Sequence, residues 1–446
     1  MQDFIEILSS VYKILLYPTV FFGCYYAFLA LVGLFSGKEK YPIVKDKLRF
    51  CIFVPCHNEQ TVIAATVKNH ARINYDPSLY DIYFIADNCT DKTAYEIKKT
   101  IRALGMSNLY CLERNESDPE KKGKPHAMNW GIEQLEARGL FYDAYDMFMI
   151  LDADNFIDSD ILKHVNSQYL AARENKRPVM IQTYLDSKNK NSLIARGYFA
   201  SYRVTGAFFQ KPKHVLGLVP AIGGTGFAMT TDFLRRIGGY HCTSLTEDLE
   251  IQTVATLKGE RIAYNHNVRI YDEKPTGLKQ SAVQRTRWAQ GHWFVFFKFG
   301  WRLFLHILNP KEIRFFLRRL DNLIYLSTML FMLTSVTCGA LSVTLMLLGA
   351  SVSFLPMYIT AGVSVIMLLL FPLSSLLDGP PDEKKSVLVE FIPNLLASLI
   401  VGAIFSCYSN VAGLLHCKNQ SVWRKTAHNV TKIQTRKEKT VENRAA

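Results

Sequence analysis

Met147-Phe148-Met149-Ile150-Leu151-Asp152-Ala153-Asp154 is the stretch that decides the fold: five apolar residues run unbroken into two carboxylates one residue apart. A short apolar run closed by polar residues reads as a strand buried on both faces. Carboxylates at the end of such a strand are costly unless they meet a cation, and hard oxygen ligands suit Mg2+ or Mn2+. Taken alone, the same three residues also suit an ordinary acidic turn.

The neighbouring sequence repeats the pattern. Residues 51–55 and 82–86 are apolar runs of the same kind, and helix-like stretches follow over 59–72, 92–104, 126–138 and 159–172. Strand–helix alternation predicts an α/β domain with a parallel sheet covered on both faces. Ligands of such sheets bind at the carboxyl ends of the strands, and the polar clusters fall there. Pro55-Cys56-His57-Asn58-Glu59 follows the first run and Asp87-Asn88-Cys89-Thr90-Asp91 the second. Their amides and carboxylates can hydrogen-bond a base and a ribose, although each cluster alone is also a turn with a helix cap, and Asp91 reads as the cap.

Four later motifs add chemistry. Lys121-Lys122-Gly123-Lys124-Pro125-His126 opens a helix and suits an anionic diphosphate, or is a solvated basic loop. Gly223-Gly224-Thr225-Gly226 lets backbone amides approach a ligand, or simply turns. Thr246-Glu247-Asp248 places carboxylates before a helical run over 249–257, as a general base or as acidic first-turn residues that complement the helix dipole. Gln284-Arg285-Thr286-Arg287-Trp288 combines a ring able to stack on a sugar with groups that bind phosphate or hydroxyls. Its plain alternative is an amphipathic helix that buries Trp288.

Long uncharged runs flank this domain. Residues 14–36 carry no charge and are long enough to cross a bilayer core of about 30 Å. Residues 322–377 are also uncharged, and a break over 349–356 divides them into a hairpin of two spans. Residues 391–417 are long enough to cross, but a crossing would carry the basic tail outside, so an interfacial or re-entrant helix is the favoured reading. The formal net charge is +13, with basic residues beside the apolar runs (Lys38, Lys40, Lys45, Lys47 and Arg49, then Arg314, Arg318 and Arg319) and eight Lys or Arg against two Glu over 418–444. This is charge retained on the cytosolic face next to lipid headgroups, and it argues against nucleic acid as the partner. The nine cysteines form no CxxC pair, which suits a reducing compartment without a structural zinc site. The chain thus divides into a span and juxtamembrane segment over 1–49, a catalytic domain over 50–299, an interfacial amphipathic helix over 300–321, a membrane region over 322–417 and a basic tail over 418–446.

In this order and between membrane spans, Asp87, Asp152-Ala153-Asp154, Thr246-Glu247-Asp248 and the stretch 284–288 resemble the D, DxD, TED and Q(Q/R)xRW motifs of membrane-bound processive glycosyltransferases of family 2. That group includes cellulose, chitin, hyaluronan and poly-N-acetylglucosamine synthases. Trp423-Arg424-Lys425-Thr426 is similar to the tail after the last hydrophobic helix in many members. The resemblance implies a GT-A fold and an inverting transfer from a UDP-sugar to a growing β-linked polysaccharide at the plasma membrane, with the catalytic domain cytosolic. It implies that Pro55, Asn58, Glu59 and Asp87 hold the uridine, and that Lys124 and Asp152 lie near the diphosphate and sugar. Asp154 then ligates Mg2+ or Mn2+, Asp248 beside Glu247 is the base, and Gln284 and Arg287 steady the leaving group. Gly224, Thr225 and Trp288 meet the acceptor. The few spans leave little room for an export path, so an oligomer or export partner, or transfer of one or a few sugars to a membrane lipid, stays open. A nucleotide-sugar sensor without catalysis is a third reading, disfavoured because a sensor needs no separate Asp248.

Overall fold

The computed structural model describes residues 2–118, 121, 123–350, 369–370, 373–374, 376, 392–397, 399–402, 404–420 and 428–433. Lys122, most of the second leg of the expected hairpin and the stretch 423–426 lie outside the described residues. The described sheet has eight strands: β1 (Phe50–Cys56), β2 (Tyr80–Asp87), β3 (Leu109–Arg114), β4 (Met147–Ile150), β5 (Phe156–Ile157), β6 (Met180–Ser187), β7 (Phe227–Thr230) and β8 (Ile262–Asp272). Their order is β3-β2-β1-β4-β7-β6-β8-β5. The first half is parallel, as the alternation predicts, because β1 pairs with β2 and β4, and β2 with β3. The second half is mixed: β6 and β8 pair in parallel, as expected, but the other pairs do not. There β7 runs antiparallel to both β4 and β6, and β5 antiparallel to β8. An apolar run carries no information about strand direction. A long connection permits a parallel return, but the one from β6 to β7 brings the chain back antiparallel.

Described helices in chain order are α1 (Gln2–Phe35), α2 (Ile63–His70), α3 (Thr93–Leu104), α4 (Lys124–Glu136), α5 (Ile161–Ala171), α6 (Leu193–Thr205), α7 (Lys211–Val215), α8 (Thr231–Arg236), α9 (Glu247–Leu257), α10 (Leu278–Ile307), α11 (Phe316–Leu326) and α12 (Thr328–Leu347). Side chains alternate across a strand, so β1 sends Ile52 and Val54 to one face, where they meet α2, α3 and α5. Phe53 points to the other face, against α4, α8 and α9. The sheet is thereby covered on both sides and its polar strand ends open along one edge.

Three helices among the described residues are long and apolar enough to cross a membrane: Gln2–Phe35, Thr328–Leu347 and Ile392–Leu415. The first begins at Gln2, well before residue 14, because Asp3, Glu6 and Lys13 near its start do not interrupt the helix. A buried carboxylate joins it to the catalytic domain. Asp321 pairs with Lys213 of α7 at 2.9 Å, accepts the Val219 N–H at 2.8 Å and accepts the Tyr25 hydroxyl of α1. The expected single amphipathic helix over 300–321 is instead three pieces: the end of α10, a 3-10 segment at Pro310–Phe315 and the start of α11. Asn309 and Pro310 break the run, since proline lacks the N–H that a helix interior needs. Trp301, Leu305, Leu308, Ile313 and Leu317 remain exposed along it.

A second buried carboxylate fixes the sheet's later half. Asp186 of β6 is fully buried and pairs with Arg203 of α6 at 2.9 Å and Arg269 of β8 at 2.8 Å. Removing one partner of a buried ion pair leaves uncompensated charge, at a cost of about 3–5 kcal/mol. Asp186→Ala is therefore expected to lower the thermal unfolding temperature of the detergent-solubilised protein well below that of an exposed control such as Asp232→Ala.

Candidate active site

The strand ends converge as the motif positions suggest. After β1, Asn58 takes the left-handed conformation (φ 56°) and Asn88 after β2 does the same (φ 49°); Asn tolerates this region better than most residues. The turn brings the Asn58 side-chain carbonyl to the Thr90 N–H at 2.7 Å, and the Glu59 N–H to the Thr93 hydroxyl at 2.7 Å. Asp91 accepts the Thr93 N–H at 2.9 Å, but it stands one residue before the N-cap of α3, which is Lys92 and not Asp91 as expected. Asp87 is buried, with Arg114 at 2.7 Å and the Asn88 amide at 2.8 Å on one carboxylate oxygen. Pro55 lies in β1 beside these loops.

Lys124, the first residue of α4, binds three separate loops. Its ammonium reaches Asp152 Oδ1 at 2.7 Å, the Gly224 carbonyl at 2.6 Å and Glu247 Oε1 at 3.3 Å. Burial works against its charge, but Asp152 and Glu247 outweigh it and hold its pKa above the ordinary lysine value. Gly224 (φ +77°) passes so close to Asp248 that an added Cβ would lie 3.3 Å from Oδ2. Thr225 Oγ accepts the Asp152 N–H at 3.0 Å and donates to Asn155. Asp152, Gly224, Thr225, Glu247 and Asp248 thus form one cluster around one cation. Asp248 is the second residue of α9 and accepts the Leu249 N–H at 2.8 Å. Burial, and then the charge of Glu247, push its pKa up to about 7. A carboxyl poised there suits a general base.

Asp154 is almost fully buried. Its Oδ2 accepts the Glu273 N–H at 2.8 Å, its Oδ1 the Asn155 amide at 3.3 Å, and its main-chain carbonyl the Lys188 ammonium at 2.8 Å. Burial would raise its pKa, but His428 and Lys188 hold it below the usual carboxylate value. No group of three His, Cys, Asp or Glu among the described residues is arranged to enclose a metal. Two carboxylates one residue apart, one ionised and fixed in direction, fit a divalent ion that keeps waters and takes its remaining ligands from a diphosphate, as Mg2+ does.

The stretch 284–288 lies on α10, which packs against the loop before α9. Gly291 allows this approach: an added Cβ would sit 2.6 Å from Thr246 Oγ. Burial lowers the Arg287 pKa, opposed by the charges of Glu247, Asp152 and Asp248, so Arg287 faces the acidic cluster. Gln284 Oε1 is buried without a hydrogen-bond partner among the described residues. Trp288 is half-buried and stands edge-on to Tyr198 at 6.2 Å between ring centroids, so packing against α6 and proximity to the site coexist.

Three contributors escaped the sequence. Glu273 supplies the amide that holds Asp154, and its carboxylate accepts the Asn429 and Val430 N–H groups at 2.8–3.0 Å. His428 Nδ1 lies 3.2 Å from both carboxylate oxygens of Glu59, and Glu59, Asp154 and Glu273 raise its pKa to about 9 although burial opposes this. Lys188 sits beneath Asp154. No spacing joins residues 428–430 to strand-end loops so far away in the chain; the one available signal was their place in the basic tail.

Comparison with known proteins agrees with this geometry. A family model described as glycosyltransferase-like family 2 matches residues 48–291. A poly-beta-1,6-N-acetyl-D-glucosamine synthase of Staphylococcus aureus is 24% identical over 63% of this chain, and the match spans 65% of that protein's length. A beta-monoglucosyldiacylglycerol synthase of Nostoc is 26% identical over 54% of this chain and 48% of its own length. Among solved structures, a Pyrobaculum calidifontis mannosyltransferase, determined with GDP-Man and Mn2+, aligns with a TM-score of 0.57 at 18% identity over 88% of this chain and 99% of that one. The fold is accordingly GT-A.

Asp248 accepts a proton only when ionised, which requires pH above about 7. With Asp248 as the base, kcat/KM should fall about tenfold per pH unit on the acid side of that value, read from a pH profile of turnover. A flat profile down to pH 5 would exclude it.

Proposed function

We propose, starting from the fact that this chain belongs to the glycosyltransferase-like family 2, that it is an inverting, membrane-embedded transferase that moves a sugar from a UDP-sugar onto a growing β-linked polysaccharide. The observation that carries this reading is the Lys124 cluster. It sets a donor-side carboxylate, Asp152, and the acceptor-side pair Glu247 and Asp248 around one partly buried ammonium.

The chemistry follows from the residues. Pro55, Asn58, Glu59 and Asp87 offer the strand-end pocket for the base and ribose. Lys124, and Arg287 facing it, stand where the diphosphate gathers charge, and fixed cations there stabilise the departing group. Asp154 and Asp152 would hold a divalent cation, whose contribution when bound is to neutralise the diphosphate. Asp248 takes the proton of an acceptor hydroxyl. That oxygen attacks C1, the bond from C1 to the diphosphate oxygen breaks, and the configuration at C1 inverts. Trp288, Gly224 and Thr225 lie on the acceptor side, and Gln284 stands with Arg287 by the leaving group.

We place the domain in the cytosol beneath a multi-pass plasma membrane. The contacts of His428 with Glu59, and of Asn429 and Val430 with Glu273, support a tail on the catalytic domain's side. An even number of crossings then separates Thr328 from Gln420. The exposed apolar residues from Trp301 to Leu317 suit the headgroup layer. Transfer to a lipid acceptor is the second reading, favoured by the few candidate spans and by the likeness to the glucolipid synthase. An oligomer or an export partner completes the path if the product leaves the cell.

The purified, detergent-solubilised protein is tested against UDP-glucose, UDP-N-acetylglucosamine, UDP-glucuronate and GDP-mannose, with Mn2+, with Mg2+ or with EDTA. The expected result is nucleotide release from one UDP-sugar, lost in EDTA, with a long glycosidase-sensitive product. A small organic-soluble product would move the reading to the lipid acceptor, and release from GDP-mannose alone would overturn the UDP assignment.

A further inference from the structure

Just after β6 the chain runs Ser187-Lys188-Asn189, and all three residues are buried. The Lys188 N–H donates to the Asp272 carbonyl at 2.8 Å, and the Asn189 side chain exchanges two hydrogen bonds with the main chain of Lys274 at 2.8–3.0 Å. This segment is therefore bonded to the floor of the donor cleft. The Lys188 ammonium, with 0% of the residue exposed, makes one hydrogen bond, to the Asp154 carbonyl at 2.8 Å, and lies 4.2 Å from the centre of the Phe156 ring. It has three protons to donate, and among the described residues no carboxylate lies within 4.0 Å of it.

This arrangement is costly. Burying an ammonium without a direct partner costs more than a ring face returns. A methionine would fill nearly the same volume without that cost. The charge is tolerated because Asp154, Glu273, Asp272 and Glu59 surround it at longer range. What it does locally is specific: it fixes the peptide of Asp154, while the Glu273 N–H fixes the carboxylate. Two anchors on one residue set the direction of that carboxylate.

We propose that Lys188 is a positioning residue that aims the Asp154 carboxylate at the donor's diphosphate and its divalent cation. The inference rests on the reading of Asp154 as the donor-side metal ligand. Lys188 itself touches neither donor nor acceptor; its effect passes through the Asp154 peptide.

The test is binding of Mn2+ to the full-length, detergent-solubilised protein in the presence of UDP, followed by electron paramagnetic resonance, alongside UDP binding in EDTA and thermal unfolding. Lys188→Met is expected to weaken Mn2+ binding about tenfold while metal-free UDP binding stays within threefold of the wild type. Lys188→Arg, which restores a donor at the carbonyl, should recover most of the loss. If Lys188→Met does not fold, Lys188→Gln, one atom too short to reach the carbonyl, should show the same tenfold loss. Unchanged Mn2+ affinity in the variants, or an equal loss of metal-free UDP binding, overturns the positioning role and leaves the metal reading standing. A wild type that binds no Mn2+ with UDP overturns both.

Discussion

One partly buried ammonium organises this protein. Lys124 opens α4 and reaches the end of β4, the glycine loop before β7 and the start of α9. Each of those segments brings its own anionic group or carbonyl, and without a shared cation they would repel. A buried charge is stable only when paired and hydrogen-bonded. The site therefore assembles around Lys124, and its carboxylates differ in state because their surroundings differ. Asp154 is held ionised by His428 and Lys188 against its burial, whereas Asp248, with Glu247 beside it, is lifted toward neutrality. Two carboxylates with opposite shifts suit the division of labour proposed for them, one toward the donor and one toward the acceptor.

The same logic links the site to the membrane. α10 carries Gln284, Arg287 and Trp288 at one end, and further along it contacts the apolar helices. Trp293 donates to the Asn410 side chain at 2.8 Å, and Asn410 donates to the Met329 carbonyl at 2.8 Å. Gly413 packs so tightly on Ala289 that a Cβ there would lie 2.6 Å away. One rigid helix thus joins the acceptor side to two candidate spans, Thr328–Leu347 and Ile392–Leu415. The tail residues 428–430 rest on Glu59 and Glu273, so the proposed donor pocket draws residues from both ends of the domain and from the basic tail.

Much of this was legible in the sequence for a physical reason. Strands buried on both faces must be apolar throughout, and their ends must turn polar, so the run from Met147 to Asp154 announces both a strand and its site. The same holds for Asp87 at the end of β2. Strand direction was not legible: β7 is apolar whether it runs parallel or antiparallel to β4. The continuity of α10 was also hidden, because its exposed Trp301 and Phe304 read as the start of a separate amphipathic helix, while Asn309 and Pro310 mark the actual break. Lys188 looked like one lysine in a polar run, since burial cannot be read from a single residue type that is usually exposed. His428 and Glu273 are brought to the site by the fold alone.

The division of roles between Asp248 and the donor-side residues is tested most directly by Asp248→Asn, which keeps the size and removes the basic oxygen. Binding of the UDP-sugar to that variant is measured by calorimetry, and transfer by product formation. The account predicts donor affinity within threefold of the wild type and transfer reduced at least a thousandfold, in keeping with the loss of a general base acting in a pre-organised site. Transfer at near wild-type rate would contradict it, and would mean that the proton leaves the acceptor by a route that does not pass through Asp248.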